Sequence, residues 1–374
     1  MQWIQMISNP VAPTGADFIH FYSAGRVAQM FGFSSVYNLD LQQKIEEEVV
    51  GSDMPEGQIL PYNHIPYLVP FLRLLVSSSY VDSFIRWVII LLTLFITGTL
   101  IFLRSNFPDQ SWFDSLTLLG GAVIFYPFFI SLLMGQDSVI LYFGVALLSV
   151  GILKKNDWLA GMGLALVTVR PHIFLALAIP IFIRFIRVWW RFFTPTLFLV
   201  VFSIAILGTS GTKEFVDVLL ITAGGNWFGM NQAVMFNLLG LLLRIFPFVD
   251  ETIIRFISWG GYIFGIGLLI VMWSRVKMPD EHLLGLSIIG ALFFAPHLHY
   301  HDLTVLLLPI LLTIKVITPF LSFPKSSTLF AGASSALFVS AAVLPIYFIL
   351  PYLLYITLTW ILLRQTREML FLNV

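Results

Sequence analysis

Residues 83–103 of the chain read SFIRWVIILLTLFITGTLIFL and contain one charged side chain, Arg86. A helix needs about 20 apolar residues to cross the hydrocarbon core of a bilayer, so this stretch predicts a membrane-spanning helix. The same pattern predicts further spans at residues 112–133, 137–153, 188–207, 254–273, 283–296, 303–320 and 328–348, and a shorter one at residues 352–363. Together these segments predict an all-α, polytopic integral membrane protein.

The composition agrees with a membrane protein and narrows its chemistry. Of the 374 residues, 58% are hydrophobic and 11% are charged, and the mean hydropathy is +0.92. Soluble domains carry about 25% charged residues, so membrane lipids are the expected surroundings of this chain. The net charge is zero and no basic run is present, which argues against nucleic acid as a partner. The absence of cysteine excludes disulfides, thiolate metal sites and cysteine nucleophiles.

One apolar segment, residues 158–183, has Arg170-Pro171-His172 in its middle. It could form one tilted helix or two short helices that break at Arg170-Pro171. Proline disfavours helical geometry in the residue before it, and cytoplasmic loops are rich in Lys and Arg. Two short helices satisfy both rules, because they leave all the nearby basic residues on one side: Lys154, Lys155, Arg184, Arg187 and Arg191. We therefore predict a hairpin with its Arg-Pro-His tip on the opposite side.

This arrangement of spans predicts one transmembrane domain over residues 1–374, with residues 1–82 as a first outer loop and residues 83–363 as the helix bundle. Within the outer loop, residues 37–50 predict a surface helix and residues 62–76 an apolar segment in the membrane interface. Unusual polar residues gather on the predicted outer side: Asp17, Gln136, Arg170, His172, His297, His299, His301 and Asp302. The arrangement predicts a functional site on the extracytoplasmic face of the cell membrane.

Asp17 and Gln136 each allow a structural and a functional interpretation. Asp17 precedes a predicted helix over residues 18–31, and aspartate is a favoured N-cap. A carboxylate held at a helix start could equally act as a general base. Gln136 follows Gly135 in a loop between two spans, where a turn needs polar, flexible residues in any case.

Arg170 is the most expensive of these residues to place in an apolar segment. Its insertion costs about 2.5–3.5 kcal/mol, so it points to a function or to a partner. Arg170 could pair with an acid such as Asp302, or bind an anion through its planar guanidinium. His172 is close enough in the sequence to share that anion.

The run from Pro296 to Asp302 carries three histidines at alternate positions, which suggests either a metal or a phosphate site. Helical spacing would bring His297 and His301 together and leave His299 apart. A stable metal site also requires a third or fourth ligand. We therefore expect no metal and no cofactor, and favour histidines that align a phosphate, with Asp302 capping a helix over residues 303–320.

Several motifs, in this order, resemble glycosyltransferase family 87, whose members are polyprenyl-phosphate-mannose-dependent mannosyltransferases of the GT-C superfamily. The matching stretches are Asp17-Phe18 with Tyr22 and Ala24-Gly25-Arg26, Val36-Tyr37, Tyr62-Asn63-His64-Ile65-Pro66, Gly135-Gln136-Asp137, Val169-Arg170-Pro171-His172, and Pro296-His297-Leu298-His299-Tyr300-His301-Asp302-Leu303. The resemblance implies a GT-C-type bundle of about 10–12 helices with outer amphipathic helices, each span near 20 residues.

The resemblance also implies roles for the site residues. Asp17 would be the general base, and a lipid-phosphate donor would lie between helices. The residues expected at the donor phosphate are Arg170, His172, His297 and His299, and those expected at the substrates are Tyr22, His64, Gln136, His301 and Asp302.

The chain departs from the family pattern in three places. His64-Ile65 stands within an expected Asn-Pro-Pro run, and Arg170-Pro171-His172 replaces Lys-Pro-Gln. The family also places a spanning helix before the aspartate, whereas only 16 residues precede Asp17 here, so that helix is expected to be missing.

The expected activity is an inverting, metal-independent transfer of a hexose, with mannose as the leading sugar, from a polyprenyl-phosphate donor to a lipid or glycan acceptor. The sequence contains no Gly-rich nucleotide loop, which fits a lipid donor. Two alternatives stay open: a flippase or transporter for lipid-linked sugars, for which no internal repeat is found, and a ligase acting on lipid-linked glycans.

Overall fold

The computed structural model describes residues 16–55, 58–223, 232–317, 322–343 and 349–372, and within them the chain is helical without strands. The all-α class is confirmed. The helices are α1 (Phe18–Met30), α2 (Leu39–Val50), α3 (Val69–Leu75), α4 (Tyr80–Asn106), α5 (Trp112–Val123), α6 (Tyr126–Met134), α7 (Ser138–Leu153), α8 (Asp157–Val167), α9 (Pro171–Arg184), α10 (Ile186–Ala223), α11 (Leu238–Ile245), α12 (Glu251–Arg275), α13 (Asp280–Phe294), α14 (Leu307–Ile317), α15 (Phe323–Val343) and α16 (Leu350–Leu372).

The chain forms two compact units. Of the described residues, the first unit contains residues 16–93, Leu132–Asp137 and residues 194–223. The second contains Leu94–Ser131, Ser138–Phe193 and the described residues from 232 onward.

Three of the described helices, α4, α10 and α12, are long and apolar enough to cross a membrane. They confirm the helices predicted at residues 83–103, 188–207 and 254–273. The span predicted at residues 112–133 consists of two helices, α5 and α6, which together are apolar enough to cross a membrane but meet at a bend of 57°. Pro127 stands at the second position of α6, where its missing N–H breaks no helical hydrogen bond, so a new helix can begin there.

Two other predicted spans are buried helices. α7 has 16 residues, nearly all of them buried, and α13 has 15, of which about two thirds are buried. Such helices are apolar all round because protein surrounds them, a pattern that hydropathy alone does not separate from a lipid-facing span. The predicted segments 303–320 and 328–348 extend into residues outside those described.

Helix α2 is only partly the surface helix predicted for residues 37–50. The Asn38 side chain accepts a hydrogen bond from the Leu41 amide at 3.0 Å and starts the helix, and Gly51, with φ of 77°, ends it. One face is buried and carries Gln42, Ile45 and Glu46. The buried face of α2 can therefore bind neighbouring loops of the first unit.

The hairpin predicted within residues 158–183 is confirmed. α8 ends before Thr168, Arg170 leaves the helical region with φ of −125° and ψ of 87°, and Pro171 is the first residue of α9. The guanidinium of Arg191, at the start of α10, lies 4.3 Å from the centroid of the Trp158 ring, at the start of α8. The start of α8 and the end of α9 therefore lie at the same end of the hairpin, and the break at Arg170-Pro171 lies at the other end.

The length of helix α10 allows a direct test of which side of the membrane Ser210 and Asn156 face. From Ile186 to the kink at Gly208 it covers about 33 Å at 1.5 Å per residue, close to the hydrocarbon thickness. We expect Ser210→Cys to react with a membrane-impermeant thiol reagent in intact cells, and Asn156→Cys to remain unlabelled. Because the chain has no cysteine, each variant offers one reactive site. Labelling of Asn156→Cys alone would reverse the predicted orientation.

Candidate functional site

Asp17 lies directly before α1, but it does not cap that helix. Its backbone is already helical, with φ of −81° and ψ of −15°, and its side chain makes no capping hydrogen bond, so the capping hypothesis is wrong. Instead, Oδ2 of Asp17 accepts a hydrogen bond of 2.9 Å from Nε2 of Gln136. Asp17 is half-buried, so its carboxylate is held in one orientation while part of it remains accessible.

The turn that carries Gln136 is fixed by its neighbours. Gly135 has φ of 74°, a backbone conformation that glycine adopts without a steric penalty. A Cβ at this position would lie 2.7 Å from Cβ of Phe18. The indole of Trp87 donates a hydrogen bond of 2.8 Å to the Gly135 carbonyl. The sequence therefore needs glycine here to bring Gln136 to Asp17.

A buried acid and a histidine flank this turn. Nδ1 of His64 lies 2.9 Å from Oδ2 of Asp137, and both side chains are almost inaccessible to solvent. The His64 ring also stacks on His20, with centroids 4.9 Å apart and planes 8° from parallel. We call Asp17, His20, His64, Gln136 and Asp137 the acid cluster of the first unit.

The segment that carries His64 is held by residues of other elements. The Tyr37 hydroxyl donates a hydrogen bond of 2.6 Å to the His64 carbonyl. The buried Gln42 of α2 accepts from the Tyr62 amide at 2.8 Å and donates to the Val36 carbonyl at 2.8 Å. Nothing in the sequence distinguishes Gln42, because a glutamine on a predicted surface helix is ordinary.

The ion pair between His64 and Asp137 makes a testable prediction about stability. Loss of a polar partner from a buried carboxylate costs about 1–3 kcal/mol, because the carboxylate loses part of the compensation for its burial. We expect His64→Phe, which keeps a ring against His20, to lower the thermal unfolding temperature of the purified protein. Adding Asp137→Asn should recover part of the loss, since it removes the buried negative charge. Equal melting temperatures for His64→Phe and wild type would contradict the ion pair.

The second unit contains a separate cluster built on Asp302. Oδ1 of Asp302 accepts hydrogen bonds from Oγ of Ser138 at 2.6 Å and from Nε of Arg170 at 3.3 Å. Oδ2 accepts from the His299 amide at 3.2 Å and lies 3.6 Å from Nε2 of His301. Burial alone would raise the pKa of Asp302, but Arg170, His301 and Ser138 outweigh burial and hold that pKa well below its usual range.

The position of Asp302 corrects one expectation and supports another. It is the third residue of a 3₁₀ turn, Tyr300–Leu306, that precedes α14, so it is not the N-cap of a helix over residues 303–320; its side chain instead accepts from the His299 amide in a capping box at the start of that turn. Its oxygens are engaged by neighbouring protein groups, which makes it an organising residue of the cluster. The predicted pairing of Arg170 with Asp302 is confirmed, with both side chains largely buried.

The histidines of this cluster form a row. The ring centroids of His172 and His297 are 6.1 Å apart, those of His297 and His299 are 4.7 Å apart, and those of His299 and His301 are 5.6 Å apart. The expectation that His299 would stand apart is wrong, because residues 297–299 are not helical and His299 lies between its neighbours. With Ser138, Arg170 and Asp302, these rings form the arginine–histidine cluster.

Burial keeps His297 and His299 uncharged at neutral pH. It lowers the pKa of His299 to about 4 and that of His297 well below its usual value, and nearby His301 and His299 add to the respective effects. A neutral imidazole donates one N–H hydrogen bond. The row therefore presents uncharged ring nitrogens, while Arg170 supplies the positive charge.

One nitrogen of the row is unsatisfied. Nε2 of His172 is buried and has no hydrogen-bond partner among the described residues. The backbone of the same residue is fixed, because the Tyr262 hydroxyl donates a hydrogen bond of 2.6 Å to its carbonyl. Buried polar groups are nearly always paired in native proteins, so a water molecule or a ligand group is needed to complete the hydrogen bonding of this nitrogen. No metal-binding group of three or more His, Cys, Asp or Glu occurs among the described residues.

The structure thus distributes the predicted site residues between two clusters. Asp17, His64 and Gln136 belong to the acid cluster. The arginine–histidine cluster contains Arg170, His172, His297, His299, His301 and Asp302. Tyr22 is buried, and its hydroxyl donates a hydrogen bond of 3.2 Å to the Ser78 carbonyl, so the hydroxyl is engaged by the protein backbone.

Sequence reasoning did not assign roles to Asp137 and Ser138, which follow Gln136 directly. Asp137 contacts His64 in the first unit, and Ser138 binds Asp302 in the second. The sequence alone did not single out Asp137, because an aspartate directly before a helix is a favoured N-cap.

Comparison with known proteins adds one finding. The model of the family described as glycosyltransferase family 87 matches residues 65–309, well over half of the 374 residues. The match includes the turn at Gln136 and the whole arginine–histidine cluster, and it begins after Asp17. No curated protein and no solved structure matches the chain.

Proposed function

The chain belongs to glycosyltransferase family 87, and from this premise we propose that it transfers a hexose from a polyprenyl-phosphate donor to a lipid or glycan acceptor. It is a glycosyltransferase and a helical membrane protein. The proposed sugar is mannose, following the resemblance of its motifs. The proposed location is the cell membrane, with the site facing the extracytoplasmic side.

The buried guanidinium of Arg170, oriented by Asp302 beside the histidine row, is the observation that carries this proposal. A phosphate offers several acceptor oxygens and a negative charge, which match N–H donors and one guanidinium. Asp302 orients Arg170 through Nε, so the planar guanidinium is fixed before the donor arrives. The cluster therefore suits the phosphate of a lipid-linked sugar.

Asp17 supplies the complementary chemistry in the first unit. We assign it the role of general base for the acceptor hydroxyl, with Gln136 holding its carboxylate. The acceptor oxygen forms a bond to the anomeric carbon on the face opposite the phosphate. The bond from that carbon to the phosphate oxygen breaks, and its electron pair leaves with the phosphate. The acceptor proton passes to Asp17, and the anomeric configuration is inverted.

Each group has a defined energetic task in this reaction. Proton removal by a placed base contributes about 10²–10⁴-fold to the rate. Arg170 stabilises the charge that develops on the departing phosphate, and the neutral imidazoles donate hydrogen bonds to it. No step requires a metal ion.

The proposal is tested with the purified full-length protein, radiolabelled polyprenyl-phosphate mannose and a membrane lipid extract as acceptor. The expected result is a labelled glycolipid of inverted anomeric configuration, formed equally well with a metal chelator. The parallel reaction with a mannose nucleotide should give no product. Transfer from the nucleotide but not from the lipid donor would overturn the donor assignment.

A further inference from the structure

One end of the second unit concentrates basic and aromatic side chains that neither cluster uses. The C-termini of α7 and α9 and the N-termini of α8 and α10 lie at this end. Lys154 and Lys155 form the turn between α7 and α8, and Arg187 and Arg191 lie one helical turn apart on α10. All four side chains are exposed.

Close helix packing brings these residues to one surface. A Cβ on Gly151 of α7 would lie 2.3 Å from the backbone of Ala160 in α8. A Cβ on the next residue, Gly161, would lie 2.5 Å from the backbone of Arg191 in α10. Small residues allow such close approach of membrane helices. The three helices therefore meet near Ala160 and Gly161, and their ends share one face.

No ion pair with a described residue neutralises the four cations. In the described part of the chain, none of them forms an ion pair, whereas Arg184 nearby is paired with Asp280 at 3.0 Å. Asp157, at the start of α8, is the one acid beside them in the sequence. The face therefore carries a net positive charge.

Tryptophans lie among the cations. Trp158 is 47% exposed and Trp190 is 64% exposed, and the Arg191 guanidinium lies over the Trp158 ring. Exposed tryptophans at helix ends are typical of the headgroup level of a bilayer, and α10 is long and apolar enough to cross it. We call Lys154, Lys155, Trp158, Arg187, Trp190 and Arg191 the basic–tryptophan face.

We propose that the basic–tryptophan face binds the headgroups of anionic phospholipids. The phosphate groups of the leaflet would supply the acceptors that the protein does not, and the tryptophan rings would set the depth. Each Lys or Arg near an anionic surface contributes about 1 kcal/mol, which corresponds to about fivefold in affinity. This proposal does not depend on the sugar-transfer reaction.

The test uses full-length protein in bilayer nanodiscs of phosphatidylcholine with a minor share of phosphatidylglycerol. Native mass spectrometry of the released protein measures which lipids remain bound. We expect wild type to retain phosphatidylglycerol in preference to phosphatidylcholine. Changing all four cations to glutamine should lower that preference by about tenfold or more, and high salt should reduce the preference of wild type.

Two half variants keep the test informative if the full variant does not fold. Lys154→Gln with Lys155→Gln, and Arg187→Gln with Arg191→Gln, should each lose part of the preference while melting like wild type in phosphatidylcholine. Lys213→Gln is the matched control, because Lys213 is an exposed cation in the first unit, and it should bind like wild type. Equal retention of both lipids by wild type, or an unchanged preference in both half variants, would overturn the proposal.

Discussion

Asp17→Asn is expected to lower turnover by about 10²-fold or more while leaving the protein folded. Asparagine has the shape of aspartate but does not accept a proton at neutral pH. The variant should bind the lipid donor with wild-type affinity, because donor binding is assigned to the arginine–histidine cluster of the second unit. Turnover is measured at saturating donor and acceptor with radiolabelled polyprenyl-phosphate mannose.

The hydrogen bond from Gln136 needs its own control, because asparagine could present its amide nitrogen to Gln136. Asp17→Asn keeps a carbonyl oxygen that can accept that bond. Gln136→Leu removes the donor and keeps the carboxylate. If Asp17 is the base and Gln136 only orients it, Gln136→Leu should reduce turnover less than Asp17→Asn does.

A structural role for Asp17 predicts a different pattern. The Asp17 side chain makes no capping bond to α1, so loss of a cap cannot account for an inactive variant. Wild-type turnover in Asp17→Asn would exclude Asp17 as the base. A fall in melting temperature with unchanged turnover would assign Asp17 to the packing of the first unit.

The parts of the site that were predictable from sequence follow local rules. Proline restricts the residue before it, which located the break at Arg170 and hence the hairpin. The cost of an arginine in an apolar segment called for a partner, and Asp302 was a correct choice. Both inferences use the chemistry of one or two residues and hold in almost any surroundings.

The predictions that failed depend on contacts between residues far apart in the chain or on the local backbone conformation. The carboxylate of Asp17 turns away from its own helix toward Gln136, 119 positions later. Nothing local distinguishes that choice from a helix cap. The histidine row depends on a non-helical backbone at residues 297–299, where a helical spacing was assumed. The hydrogen bond from the Tyr62 amide to Gln42 could not be predicted without knowing which loop crosses α2.

Arg170→Ala is expected to weaken binding of the polyprenyl-phosphate donor strongly. A hydrogen bond to a charged group contributes about 1.5–3 kcal/mol, so the loss should be about 10- to 100-fold in affinity. Arg170→Lys should recover only part, because an ammonium does not reproduce the planar fork of the guanidinium. Donor affinity is measured by competition with unlabelled polyprenyl phosphate.

The pairing of Arg170 with Asp302 complicates the single variant. Arg170→Ala leaves the buried Asp302 carboxylate without its cationic partner, which costs about 3–5 kcal/mol and could unfold the protein. The double variant Arg170→Leu with Asp302→Asn removes both charges. Its stability should therefore return toward wild type, while its donor affinity should stay low.

The double variant thereby separates the two roles of Arg170. If Arg170 only neutralises Asp302, removing both charges should restore donor affinity together with stability. If Arg170 binds the donor phosphate, stability returns and affinity does not. Asp302→Asn alone is the matched control: it keeps the Arg170 charge but weakens the contact that orients Nε, so its donor affinity should fall between wild type and the double variant. Donor affinity at the wild-type level in the double variant would assign Arg170 to a purely structural ion pair and leave the histidine row as the phosphate-binding element.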